Sequence, residues 1–88
     1  MMITTIKTGT GLTLRQREVV ALIAAGCSND EVGERLGISP RTAKAHSDTL
    51  RSKLGVHRRR QIPVAFRVLT GEDPLSASLG VLHRRPRV

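Results

Sequence analysis

Residues 28–55 read SNDEVGERLGISPRTAKAHSDTLRSKLG, and this stretch decides the fold. Ser28 followed three residues later by Glu31 is a capping box, in which each side chain satisfies a free amide at the start of a helix. Val32 and Leu36 then fall on one face of a short helix over 29–36, which Gly37 ends because a residue without a Cβ takes positive φ at no steric penalty. Only Gly37 and Ile38 separate this stop from the next cap. Ser39 supplies that cap, and Pro40 stands at the first helical position, where a missing N–H forfeits no hydrogen bond. The pattern predicts a helix over 40–54, stopped by Gly55. Along it Ala43, His46, Ser47, Leu50 and Leu54 share one stripe, while Arg41, Lys44, Asp48 and Arg51 share the opposite one. Two short helices joined by a glycine turn, the second amphipathic with a basic outward stripe, are the parts of a helix-turn-helix. Gly33 and Ala43 are the small residues that such a crossing needs.

Upstream of this stretch, Thr13 and Gln16 form another capping box, and Val19, Val20, Ile23 and Ala24 recur at helical spacing. A helix over 14–25 is expected, with Gly26 as its left-handed stop. After Gly55, a fourth helix around 62–69 uses Ile62, Ala65, Phe66 and Leu69, provided that Pro63 lies in its first turn. The expected organisation is a flexible leader (1–11), a helix-turn-helix domain (12–70) and a basic mobile tail (71–88). The fold class is all-α: a small four-helix domain with flexible termini.

The whole chain has 88 residues, room for one small domain. With 39% hydrophobic and 25% charged residues it can build one compact core, and with one Phe and no Trp or Tyr that core is aliphatic. The aromatic platforms that hold single-stranded nucleic acid are absent. Cys27 is the sole cysteine, so no internal disulfide and no Cys/His zinc set is expected, and its place beside a cap reads as a small linker residue. No run of 18 apolar residues and no signal-like apolar stretch occurs, so no membrane partner is expected and the cytoplasm is the expected location.

The net charge of +8 is unevenly placed. Residues 1–37 sum to zero, whereas residues 38–60 carry Arg41, Lys44, Arg51, Lys53, Arg58, Arg59 and Arg60 against Asp48 alone, a net +6. Polyanions are the expected partners. A catalytic reading of Ser39, His46 and Asp48 fails, because positions 46 and 48 point about 200° apart on a helix and the carboxylate cannot support the imidazole. No catalytic residue, metal ligand or cofactor site is assigned. His46 lies on the packing stripe and is expected to be partly buried.

The residues resemble the DNA-binding domain of the LuxR/GerE family of bacterial transcription regulators. The resemblance runs from about Leu12 to Leu69 and is dense. It includes Leu12-Thr13, Arg15 and Glu18-Val19; Gly26, Ser28-Asn29 and Glu31-Val32; Leu36, Ile38-Ser39, Thr42, Lys44 and His46; then Lys53-Leu54-Gly55-Val56 and Arg59. The chain departs from the family pattern at Gln16, Gly33, Ala43 and Pro63, where the family usually has Glu, Ala, Val or Ile, and a residue other than Pro.

The resemblance implies a sequence-specific transcriptional regulator of double-stranded DNA, acting at the nucleoid, with RNA polymerase as a further partner. It implies that helix 40–54 lies in the major groove with Lys44, Ala45 and Asp48 facing base edges. Lys44 can donate to guanine, Ala45 can touch a thymine methyl, and Asp48 can accept from the cytosine amine or pair along its helix with Lys44 or Arg51. Phosphates fall to Arg41, Thr42, Arg51, Lys53, Arg58 and Arg59, and to the helix start at Ser28 and Asn29. Glu18 is expected to orient a basic neighbour such as Lys53 or Arg59, the alternative being a solvated surface charge. A weak homodimer, completed on DNA, is expected through Ile62, Ala65, Phe66 and Leu69; the alternative is that Phe66 and Leu69 close the core of a monomer. The leader is too short for the sensor domain that family members usually carry, so a freestanding effector is expected. Two other readings fit the basic face: a helical interaction module that docks an acidic protein, and a promoter reader resembling region 4 of a sigma factor.

If about five phosphates are neutralised per protomer, the logarithm of the DNA-binding constant falls with the logarithm of salt concentration at a slope near −4 to −5. A fluorescence-anisotropy titration across salt concentrations measures it, and a flat response contradicts the phosphate-contact reading.

Overall fold

A computed structural model of the chain describes residues 11–77. The expected leader, apart from Gly11, and the tail beyond residue 77 lie outside the described residues. The elements are α1 (Leu14–Ala24), α2 (Asn29–Leu36), α3 (Pro40–Leu54), a 3-10 turn (Arg59–Gln61), α4 (Ile62–Thr70) and a short α5 (Pro74–Ala77), with no strand among the described residues.

The caps read from the sequence are made. Thr13 and Gln16 exchange side chain and backbone at 2.9 and 3.0 Å, and Ser28 and Glu31 do the same at 2.8 and 3.2 Å. The Ser39 hydroxyl oxygen accepts from the Thr42 amide at 3.0 Å with Pro40 in the first turn. Gly37 and Gly55 take φ of 72° and 71° as left-handed stops. Pro63 is accommodated because it stands at the second position of α4, where its absent N–H would have found no partner within the helix.

α1 is the hub of the core. Its Val19, Val20, Ala21 and Leu22 are fully buried, and both α3 and α4 pack against it. Leu50 from α3 and Ile62 and Phe66 from α4 are likewise fully buried. This corrects the expectation that Ile62 and Phe66 meet a second protomer. They lie four residues apart on one stripe, and that stripe is the one turned towards α1. Of the residues expected there, Ala65 is half-buried against the core and Leu69 is 55% exposed.

The segment 71–77, expected within the tail, is folded against α1. The Arg17 guanidinium sits 5.3 Å from the centroid of the Phe66 ring and forms an ion pair with Glu72. A cation largely removed from water needs an anion, and Glu72 supplies it. The Asp73 carboxylate accepts from the Leu75 amide at 3.0 Å at the start of α5, and Pro74 is buried. The boundary expected at residue 70 therefore falls inside a clasp that ties the end of α4 back onto α1.

Replacing Phe66 by Ala is expected to lower the unfolding free energy by about 3 to 5 kcal/mol, whereas Leu69→Ala changes it by less than about 0.5 kcal/mol. Urea denaturation of both variants at low protein concentration measures the difference; equal effects would contradict the assigned burial.

Candidate nucleic-acid interface

The interface is built from α2, the turn after it, and the outward side of α3. After Leu36 the chain reverses through Gly37, and the Ile38 amide donates back to the Gly33 carbonyl at 2.9 Å. Gly33 is buried under this turn, where an added Cβ would stand 2.6 Å from the Ile38 carbonyl oxygen. The absent side chain lets α3 leave close to α2. Ala43, fully buried, faces the crossing, and the buried Ser47 hydroxyl donates to the Asn29 side-chain carbonyl at 3.4 Å. These contacts fix how far the outward stripe of α3 stands from the amino end of α2.

On that stripe Arg41, Thr42, Lys44 and Ala45 are exposed, as the sequence predicts. Thr42 also accepts from the Ser39 hydroxyl at 3.0 Å, so its hydroxyl hydrogen can still donate outward. Asp48 is engaged on both sides. Lys44 Nζ donates to its Oδ2 at 3.1 Å, and Arg51 donates to its Oδ1 at 2.6 Å. These are the intrahelical pairs that the spacing allows. The Arg51 hydrogen bond first, and the Lys44 bond next, hold the Asp48 carboxyl below the usual carboxylate range, so it is ionised at neutral pH. Arg51 reaches further and donates to the His57 carbonyl at 3.0 Å. It bridges α3 to the next loop and is less free for a phosphate than its sequence position suggests.

Lys53 and Arg59 also carry structural contacts. Lys53 Nζ donates to the Gly11 carbonyl at 2.9 Å and to Gln16 Oε1 at 3.2 Å, joining the carboxy end of α3 to the entrance of α1. Glu18 takes neither of these cations, contrary to expectation. It pairs with Arg15 on its own helix at 3.3 Å, and the oxygen that meets Lys53 is the one Gln16 already uses to cap Thr13. Arg59 donates to the Cys27 carbonyl at 2.9 Å, which brings the 3-10 turn against the start of α2 beside Ser28. Burial lowers the pKa of Arg59, opposed by Cys27, yet a guanidinium stays cationic. Burial pushes the Cys27 thiol up, so it is a protonated, packed group rather than a nucleophile.

His46 is half-buried on the packing side, as expected, and Arg58 is exposed at the start of the 3-10 turn. Three exposed residues have no site role assigned from the sequence. Arg60 is exposed on the same turn, and Val64 and Val68 are 65% and 75% exposed on α4. The four-residue spacing of the two valines marks a stripe, but their composition does not distinguish it from the buried Ile62 and Phe66 stripe. Val64, Val68 and Leu69 line an open apolar groove with Leu54, Val56 and Ala65.

Among the described residues no cluster of His, Cys, Asp and Glu could hold a metal ion, and no helix is long and apolar enough to cross a membrane. What remains is a compact helix-turn-helix with a basic outward face. Residues 10–66 match the family of bacterial regulatory proteins of the LuxR type, the GerE domain, and the chain belongs to that family. It is similar to the transcriptional regulatory protein MctR of Rhizobium johnstonii, 49% identical over 51% of this chain and 21% of that protein. It is similar to the putative HTH-type transcriptional regulator YhjB of Escherichia coli, 41% identical over 72% of this chain and 32% of that protein. It is also similar to the transcriptional regulatory protein LiaR of Bacillus subtilis, 45% identical over 60% of this chain and 25% of that protein. The matched region is thus a third or less of each of these relatives. No solved structure matches the chain.

Proposed function

We propose that this chain binds double-stranded DNA sequence-specifically and regulates transcription, with α3 in the major groove. The observation that carries the reading is the exposed basic stripe of α3, held at a fixed distance from the amino end of α2 by the Gly33 and Ala43 crossing. A helix seated in the groove needs base-reaching side chains at its centre and phosphate donors at both flanks. Lys44, Ala45 and Asp48 occupy the centre. Arg41 and Thr42 stand at the amino end of α3, while Ser28 and Asn29, next to Arg59 and Ser47, lie towards its other end with Lys53 and Arg58, and Arg51 braces Asp48. The family and the names of its relatives support transcription as the process; a regulator of that process would act at the nucleoid, with RNA polymerase as a further partner.

The same reading includes a weak dimer. Its apolar surface is the exposed stripe of Val64 and Val68 with Leu69 and Ala65, not the buried Ile62 and Phe66. A two-fold pair of helix-turn-helix units reads inverted half-sites about one DNA turn, roughly 34 to 36 Å, apart. Stoichiometry on palindromic duplexes of varied half-site spacing tests both parts. Two protomers per duplex with a sharp spacing optimum are expected. One protomer per site at every spacing contradicts the dimer, and no binding to any duplex at low salt contradicts the DNA reading.

A further inference from the structure

We propose that Lys44 and Asp48 act as one unit, an intact ion pair that reads the strand orientation of a single base pair. This deepens the major-groove reading and rests on it. Lys44 Nζ and Asp48 Oδ2 lie 3.1 Å apart on the exposed stripe of α3. In the major groove, guanine O6 and cytosine N4 are partners in one Watson–Crick hydrogen bond, so they present an acceptor and a donor about 2.9 Å apart. Thymine O4 and adenine N6 present the same order. The ammonium can therefore meet the carbonyl while the carboxylate meets the amine, without the ion pair opening.

The donor and acceptor inventory closes. Lys44 has three N–H donors, of which Asp48 takes one and the base carbonyl a second. Asp48 Oδ2 has two acceptor sites, one for Lys44 and one for the second hydrogen of the base amine. The other oxygen is held by Arg51 at 2.6 Å, and Arg51 is itself anchored on the His57 carbonyl at 3.0 Å. The carboxylate is thereby oriented before DNA arrives. Every edge of the four-cornered ring is then one hydrogen bond. Reversing the base pair sets an amine against the ammonium and a carbonyl against the carboxylate, so both contacts turn repulsive together. A neutral pair also adds little to phosphate attraction, which makes it a reader of sequence rather than a source of affinity.

The unit thus selects a keto base, G or T, on the strand beneath Lys44 and an amino base, C or A, beneath Asp48. Selection of bound duplexes from a randomised pool tests this with the wild-type chain, with the exchanged variant Lys44→Asp plus Asp48→Lys, and with Asp48→Asn. The wild type is expected to enrich a G-or-T position, and to bind the duplex with that one base pair reversed at least about tenfold more weakly. The exchanged variant is expected to enrich C or A at that position with the rest of the site unchanged. If it binds no DNA, Asp48→Asn decides: loss of preference at this one base pair supports the unit, and an equal change on every sequence overturns it. The same base selected by the wild type and the exchanged variant also overturns it. A wild type that binds no duplex removes the DNA reading and this inference with it.

Discussion

The outward face of α3 takes its position in this chain from the tight turn before it. Gly37 in the left-handed region, the Ile38 amide returned to the Gly33 carbonyl, and the absence of a Cβ at Gly33 together bring the start of α3 against the middle of α2. A looser turn would let α3 rotate or slide, and each shift of one residue along a helix moves its stripe by about 100°. Ala43 and the bond from Ser47 to Asn29 set the second point of contact. With two points fixed, the side chains of Arg41, Lys44, Asp48 and Arg51 emerge from one rigid platform.

Electrostatics on that platform divides into two kinds of group. Arg41 and Lys44 reach outward, whereas Lys53, Arg51 and Arg59 also hold carbonyl oxygens of the protein at 2.9 to 3.0 Å. These last cations serve the fold and keep donors that a polyanion could take: each guanidinium of Arg51 and Arg59 carries five N–H donors and spends one or two inside the protein, and the Lys53 ammonium spends two of its three. The net +6 of residues 38–60 is thus partly a stapling device: it pins α1, the 3-10 turn and the loop after α3 to the helix-turn-helix. Asp48, the one acid in that stretch, turns two neighbouring cations into an ordered network instead of a diffuse charge cloud.

Most of this fold was legible from capping chemistry. Thr13, Ser28 and Ser39 with their partners, and the glycines at 26, 37 and 55, mark helix ends through local hydrogen bonds and backbone sterics, which leave a strong trace in sequence. α4 was legible as a helix but not in its facing, because Ile62, Val64, Phe66 and Val68 are all apolar and only the position of α1 decides which pair is buried. The Arg17–Glu72 clasp was illegible for a different reason: its partners lie 55 residues apart and neither carries a local signature. On the candidate interface, the exposed positions of Lys44, Ala45 and Arg41 followed from helical periodicity. The internal engagements of Arg51, Lys53 and Arg59 did not, since a cation's choice among carbonyls depends on where distant loops end.

If DNA is bound as proposed, the outward stripe of α3 and the amino end of α2 together face the duplex. Nuclear magnetic resonance of the isotopically labelled chain, titrated with a duplex recovered by selection, measures this residue by residue. The largest amide and side-chain shifts are expected at 28–29 and along 40–51, with Ile62 and Phe66 in the core nearly unmoved. Shifts concentrated on α1, with Arg41, Lys44 and Asp48 silent, would contradict it.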